Sequence, residues 1–79
     1  PSALIFPNPS NGQWKCMLPA ADELVSLIVL DVSGRCIKVE RDVYNNFRMQ
    51  CADGLYFVKV VTRNASIERH TTYPLIISQ

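Results

Sequence analysis

Gly54-Leu55-Tyr56-Phe57-Val58-Lys59-Val60-Val61 is the stretch whose reading decides the fold. Tyr56, Val58 and Val60 alternate with Phe57, Lys59 and Val61. A period of two, rich in β-branched and aromatic side chains, is the pattern of a strand with two different faces. The same period recurs on both sides of it. Trp14, Cys16 and Leu18 alternate with Lys15 and Met17; Val25, Leu27 and Val29 with Ser26, Ile28 and Leu30; Ile37 and Val39 with Lys38 and Glu40; Phe47 and Met49 with Arg48 and Gln50. Only Pro19 to Leu24 could start a helix, and six residues cannot sustain one in water. A loop or a single turn is expected there.

Turn chemistry separates these runs. Pro7-Asn8-Pro9-Ser10-Asn11-Gly12 fixes φ at two prolines and offers Gly12 for positive φ. Asp31-Val32-Ser33-Gly34 suits a type I turn with Gly34 left-handed. Tyr44-Asn45-Asn46 and Ala52-Asp53-Gly54 are further breaks, and Arg63-Asn64-Ala65-Ser66 closes another hairpin. About seven short strands at this spacing predict an all-β chain, an immunoglobulin-like antiparallel β-sandwich. Its expected core is Trp14, Val25, Leu27, Val29, Ile37, Val39, Tyr56, Val58 and Val60. The outward sides of two strands, Ile28 with Leu30 and Phe57 with Val61, are apolar as well, which points either to a partner surface on a chain with little to cover it or to partial shielding by long side chains such as Lys59 and Arg48.

The bulk numbers bound the function. Seventy-nine residues, 48% of them hydrophobic and 19% charged, describe one globular domain near the lower size limit. Its expected stability is about 4–12 kcal/mol. A net charge of +1 gives no steering field, and the scattered basic residues are not interleaved with aromatics, so no nucleic-acid role is expected. No run approaches the roughly 18 apolar residues that span a bilayer. Pro1 is neither an initiator nor the start of a signal peptide, so the chain is expected to be a fragment of a longer protein.

Catalytic and metal chemistry find little to work with. Cys16, Cys36, Cys51 and His70 make a set of four zinc-type ligands, but every gap between them exceeds 14 residues. Structural zinc sites pair ligands two to four residues apart. The cysteines are read instead as buried small hydrophobes, and three of them cannot complete a disulfide framework. His70 has no nucleophile or spaced acid around it, and no Gly-rich phosphate loop is present. No catalytic residue, metal or cofactor is expected.

Three segments in order carry a more specific signal. Ile5-Phe6-Pro7-Asn8-Pro9-Ser10-Asn11-Gly12 is an apolar strand followed by Pro-Asn-Pro, small polar residues and Gly. Val29-Leu30-Asp31-Val32-Ser33-Gly34-Arg35 is an apolar strand ending in Asp, two residues, Gly and a base. Gly54-Leu55-Tyr56-Phe57-Val58-Lys59-Val60 is Gly, an apolar residue, Tyr and alternating aliphatics. Across residues 4 to 61 the chain resembles the type A C-terminal sorting domain of type IX secretion cargo. The end departs from that pattern: Ile67 to Gln79 is longer and holds Pro74, which should sit on a sheet edge or at a bulge.

The resemblance implies that residues 1–79 form a single C-terminal sorting domain, continuous with an upstream cargo. It implies export across the outer membrane through the type IX translocon, by way of the periplasm, to a secreted or cell-surface location. It also implies handling by a PorV-type shuttle β-barrel and a PorU-type sortase. The candidate machinery contacts are Pro7, Asn8, Pro9, Gly12, Asp31, Gly34, Arg35, Gly54, Tyr56, Leu75, Ile76 and Ile77. The last three are expected on an edge strand with free backbone groups, open to strand addition, and cheap to remove compared with a core residue. The second reading is an accessory immunoglobulin-like or fibronectin-like module binding glycan or protein beside a secreted enzyme, with Tyr44 or Tyr73 as exposed aromatics.

Overall fold

The computed structural model describes residues 3–79. Eight strands form: β1 (Leu4–Phe6), β2 (Gln13–Met17), β3 (Glu23–Asp31), β4 (Cys36–Ile37), β5 (Glu40–Arg41), β6 (Asn46–Arg48), β7 (Gly54–Asn64) and β8 (Ile67–Ile77). They make two four-stranded sheets, β1-β2-β6-β5 (sheet A) and β4-β3-β7-β8 (sheet B), and every strand pairing within them is antiparallel. The expected β-sandwich is what the residues build.

The eighth strand comes from a sheet switch. The alternation of Ile37 and Val39 predicts one strand, but Cys36–Ile37 pairs with β3 in sheet B while Glu40–Arg41 pairs with β6 in sheet A. Lys38 and Val39 carry the chain across, and Val39 stays packed against the core. Strands that change sheets by a bend close the corner of a sandwich.

The core joins both inner faces. Ile5, Trp14, Cys16, Phe47 and Met49 come from the sheet A side; Val29, Tyr56, Val58, Val60, Leu75 and Ile77 come from sheet B. Trp14 stacks on Phe47 with ring centroids 4.6 Å apart. Leu27, Ile37 and Val39 are half-buried against this cluster, as the alternation predicts.

Val25 does not join them. The β3–β7 register slips between Leu24, opposite Thr62, and Ser26, opposite Val61, so Val25 is the extra residue of a β-bulge. A bulge inverts the inward phase on one side of itself. Leu24 therefore packs against the core and Val25 is 39% exposed.

Candidate functional site

The 11-residue register of β7 with β8 places the C-terminal candidates. Tyr56 lies opposite Leu75 on one side and Asp31 on the other, and Gly54 lies opposite Ile77. Ser10, just after the Pro-Asn-Pro loop, makes a parallel bridge to Ile77. Segments far apart in sequence thus meet at one end of sheet B.

The contact between the first and last of them is specific. The Asn8 side-chain amide donates to the Pro74 carbonyl at 2.9 Å and accepts from the Ile76 N–H at 3.0 Å. The Ser10 N–H donates to the Ile76 carbonyl at 2.8 Å, and the Ser10 carbonyl accepts from the Ser78 N–H at 2.8 Å. One carboxamide and one backbone residue therefore do for the rim of β8 what another strand would do. This overturns the expectation of free backbone groups along Leu75 to Ile77. In an antiparallel pair alternate residues turn their N–H and C=O away from the partner, and at Pro74, Ile76 and Ser78 those outward groups are already bonded. Pro74 does lie on an edge strand, at a position where its missing N–H costs no bond to β7.

Burial overturns a second expectation. Leu75 and Ile77 have 0% and 1% of their surface exposed and are among the deepest side chains of the core. Only Ile76, 46% exposed, faces outward. A terminal edge strand is usually peripheral, but this one is the wall that closes the sandwich. Gln79 adds to its anchoring through its N–H to Asp53 and its side-chain amide to the Cys51 carbonyl.

Gly12 belongs to the frame of the loop. Its φ is +107°, and a Cβ there would sit 2.8 Å from the Met49 carbonyl oxygen. Its own carbonyl accepts from the Met49 N–H at 2.9 Å. Ser10, which sequence reasoning passed over, is 2% exposed and holds the loop from inside, with its hydroxyl donating to the Gln13 carbonyl and accepting from the Gly12 N–H. A lone Ser after Pro offers no local signal for that role.

Asp31, Gly34 and Arg35 form the β3–β4 turn. The Asp31 carboxylate accepts from the Ser33 hydroxyl at 2.6 Å, the Ser33 N–H at 2.9 Å and the Arg35 N–H at 2.9 Å, and pairs with Arg35 Nε at 3.2 Å. The Ser33 hydroxyl and the Arg35 N–H hold its pKa down at about 2. Gly34 adopts φ +89° with open space around its Cα. Tyr56 is buried, its hydroxyl donating to the Ala52 carbonyl at 2.6 Å. The neighbouring Cys51 and loss of solvent push the phenol up to about 12.

The outer face of sheet B beside these segments is apolar, as expected. Leu30, Phe57 and Pro74 lie in one cross-strand row, with Leu55 and Ile76 in the next. Ile28, Leu55 and Ile76 are each more than 40% exposed. Cys36 lies opposite Leu30 and is exposed, which corrects its reading as a buried hydrophobe; Cys16 is buried, and burial raises its pKa. Of the two aromatics of the second reading, Tyr73 packs against the core and only Tyr44 stands free at 76% exposure.

A family model described as a secretion system C-terminal sorting domain matches residues 4–72, and so takes in the loop, the Asp31 turn and the whole of β7. The chain belongs to that family. No curated protein and no solved structure matches it. The type IX sorting domain is a signal rather than an enzyme class, and it marks a secreted or cell-surface protein that meets the type IX machinery. The match stops at Thr72, five residues short of the end of β8, in the segment where the sequence departs from the family pattern.

Proposed function

We propose that residues 1–79 are the export label of a longer cargo protein, and that the label is read at the end of sheet B where the Pro7–Ser10 loop grips β8. The observation that carries this reading is the four-bond contact of Asn8 and Ser10 with Pro74, Ile76 and Ser78. It builds one surface out of both ends of the domain, with Ile76, Leu55, Phe57 and Pro74 beside it as an apolar face. On this reading the cargo crosses the periplasm, passes the outer-membrane translocon, and the folded label is held by a PorV-type β-barrel through that face. A PorU-type sortase then acts at the junction with the cargo, on the N-terminal side of the loop. The domain performs no chemistry of its own.

A passive reporter fused ahead of residues 1–79, in a bacterium with a type IX system, is expected at the cell surface. Ile76→Glu places a charge on an exposed position and should keep the fold while holding the reporter in the periplasm. A wild-type fusion that stays periplasmic would refute the export role. Normal export of a folded Ile76→Glu fusion would move recognition away from this face.

A further inference from the structure

The outer face of sheet A, on the other sheet from the apolar face used above and meeting the Pro7–Ser10 loop only at Pro7, carries a second constellation. Because Ile5, Trp14, Cys16 and Phe47 point inward, Phe6, Gln13, Lys15, Asn46 and Arg48 point out. The registers set them in two rows: Phe6 beside Lys15 beside Asn46, and Gln13 beside Arg48 beside Glu40. With Pro7 they line an open hollow of about 600 Å³, within the usual range for small-ligand sites. Glu40, Arg41 and Asp42 form part of its rim.

The side chains on this floor are largely uncommitted. Among the described residues Lys15 and Arg48 enter no ion pair, and neither they nor the Gln13 carboxamide make a side-chain hydrogen bond. Asn46 spends one amide donor on Asp42, which leaves its carbonyl oxygen free. Lys15 and Arg48 stand diagonally on neighbouring strands, within reach of one anionic group. At one end Phe6 and Pro7 supply an apolar wall.

We infer that this hollow binds an acidic saccharide. Two cations suit one carboxylate or phosphate, best through the Arg fork. The carboxamides of Gln13 and Asn46 match hydroxyls, which both donate and accept. The Phe6–Pro7 wall fits the C–H face of a sugar ring. A chain with an acid on every short side chain fits less well, because Glu40 and Asp42 on the rim outnumber its one cation, Arg41. Bonds from Asn46 and Tyr44, with Lys15 nearby, lower the Asp42 pKa and keep it ionised. In a uronic oligosaccharide one carboxylate meets Lys15 and Arg48, while neutral hydroxyls and the ring face meet the carboxamides and the Phe6–Pro7 wall.

Titrating the ¹⁵N-labelled chain with trigalacturonic acid, with neutral galactotriose and with hexaglutamate tests this. The acidic trisaccharide should move the side-chain resonances of Gln13, Asn46 and Arg48. Arg48→Ala or Lys15→Ala should each weaken it by about tenfold or more, the usual value of a charge-assisted bond. An unshifted Trp14 indole N–H in each unliganded variant would show that the fold beneath is intact. The inference fails if millimolar trigalacturonic acid moves nothing, if the shifts fall outside sheet A, or if galactotriose binds as well. An equal or larger response to hexaglutamate would also overturn it and make this an acidic-peptide site.

Discussion

One carboxylate, Asp31, organises the β3–β4 turn, and its chemistry has a measurable consequence. Its folded pKa of about 2 lies below the unfolded value of about 3.9. Such a group stabilises the fold above the unfolded value and loses that contribution as pH falls from about 4 toward 2. Asp42, also lowered by its bonds to Asn46 and Tyr44, acts in the same direction. Asp31→Asn should therefore lower the melting temperature at pH 7 and flatten its fall between pH 4 and pH 2, read by circular dichroism at a series of pH values. Gly12 gives a prediction of another kind. Alanine there meets both an unfavourable φ and the Met49 carbonyl at 2.8 Å, so Gly12→Ala should cost about 1–3 kcal/mol, whereas Gly34→Ala, with open space around it, should cost only the φ penalty of about 1–2 kcal/mol. Equal losses in chemical denaturation would show that the close approach to Met49 gives way without cost.

At the level of elements, the strands were legible because period two survives any tertiary context that keeps one face dry. Trp14, Tyr56, Val58 and Val60 all point inward as their alternation requires. What could not be read was whatever depends on a neighbour. The bulge at Val25 arises from the pairing of β3 with β7, and nothing in Leu24-Val25-Ser26 announces it. The sheet switch at Lys38 and Val39 hides inside a pattern that a single strand would also satisfy. The terminal strand was the largest miss: Leu75 and Ile77 alternate with Ile76 in an apolar run that cannot say which side is buried. Deleting Leu75 to Gln79 should therefore unfold the domain. Each buried Leu or Ile truncated to Ala costs about 2–5 kcal/mol, and two of them rival a total of about 4–12 kcal/mol. Export lost through that deletion would be uninformative, whereas Ile76→Glu separates recognition from folding. A deletion variant with an unchanged melting transition would contradict the burial of these two side chains.

Across the whole molecule the two sheets are unequal. Sheet B rests on ladders of eleven and eight residue pairs with β4 held to its edge by only two, while β1 with β2 and β2 with β6 share three each and β5 with β6 two. Local opening draws on the weakest cooperative units first, so amide exchange should be fastest in β4, β5 and β1 and slowest around Val29, Val58 and Val60. The Asn8–Ser10 grip is the point where the chain leaving β1 of sheet A is tied to β8 of sheet B. Replacing Asn8 by Ala removes the acceptor of the Ile76 N–H and the donor to the Pro74 carbonyl, but leaves the bonds of Ser10 in place. Protection should then fall at Ile76, less at Ser78, and hardly at Leu75 and Ile77, whose N–H groups face β7. That alternating pattern would mark the grip as a cover laid over a complete sheet. A uniform loss from Tyr73 to Ser78 would mean instead that Asn8 holds the whole strand in the sandwich. Unchanged protection at Ile76 would mean that the carboxamide does not hold the edge in solution, and the Pro-Asn-Pro loop would lose its claim to form one surface with β8.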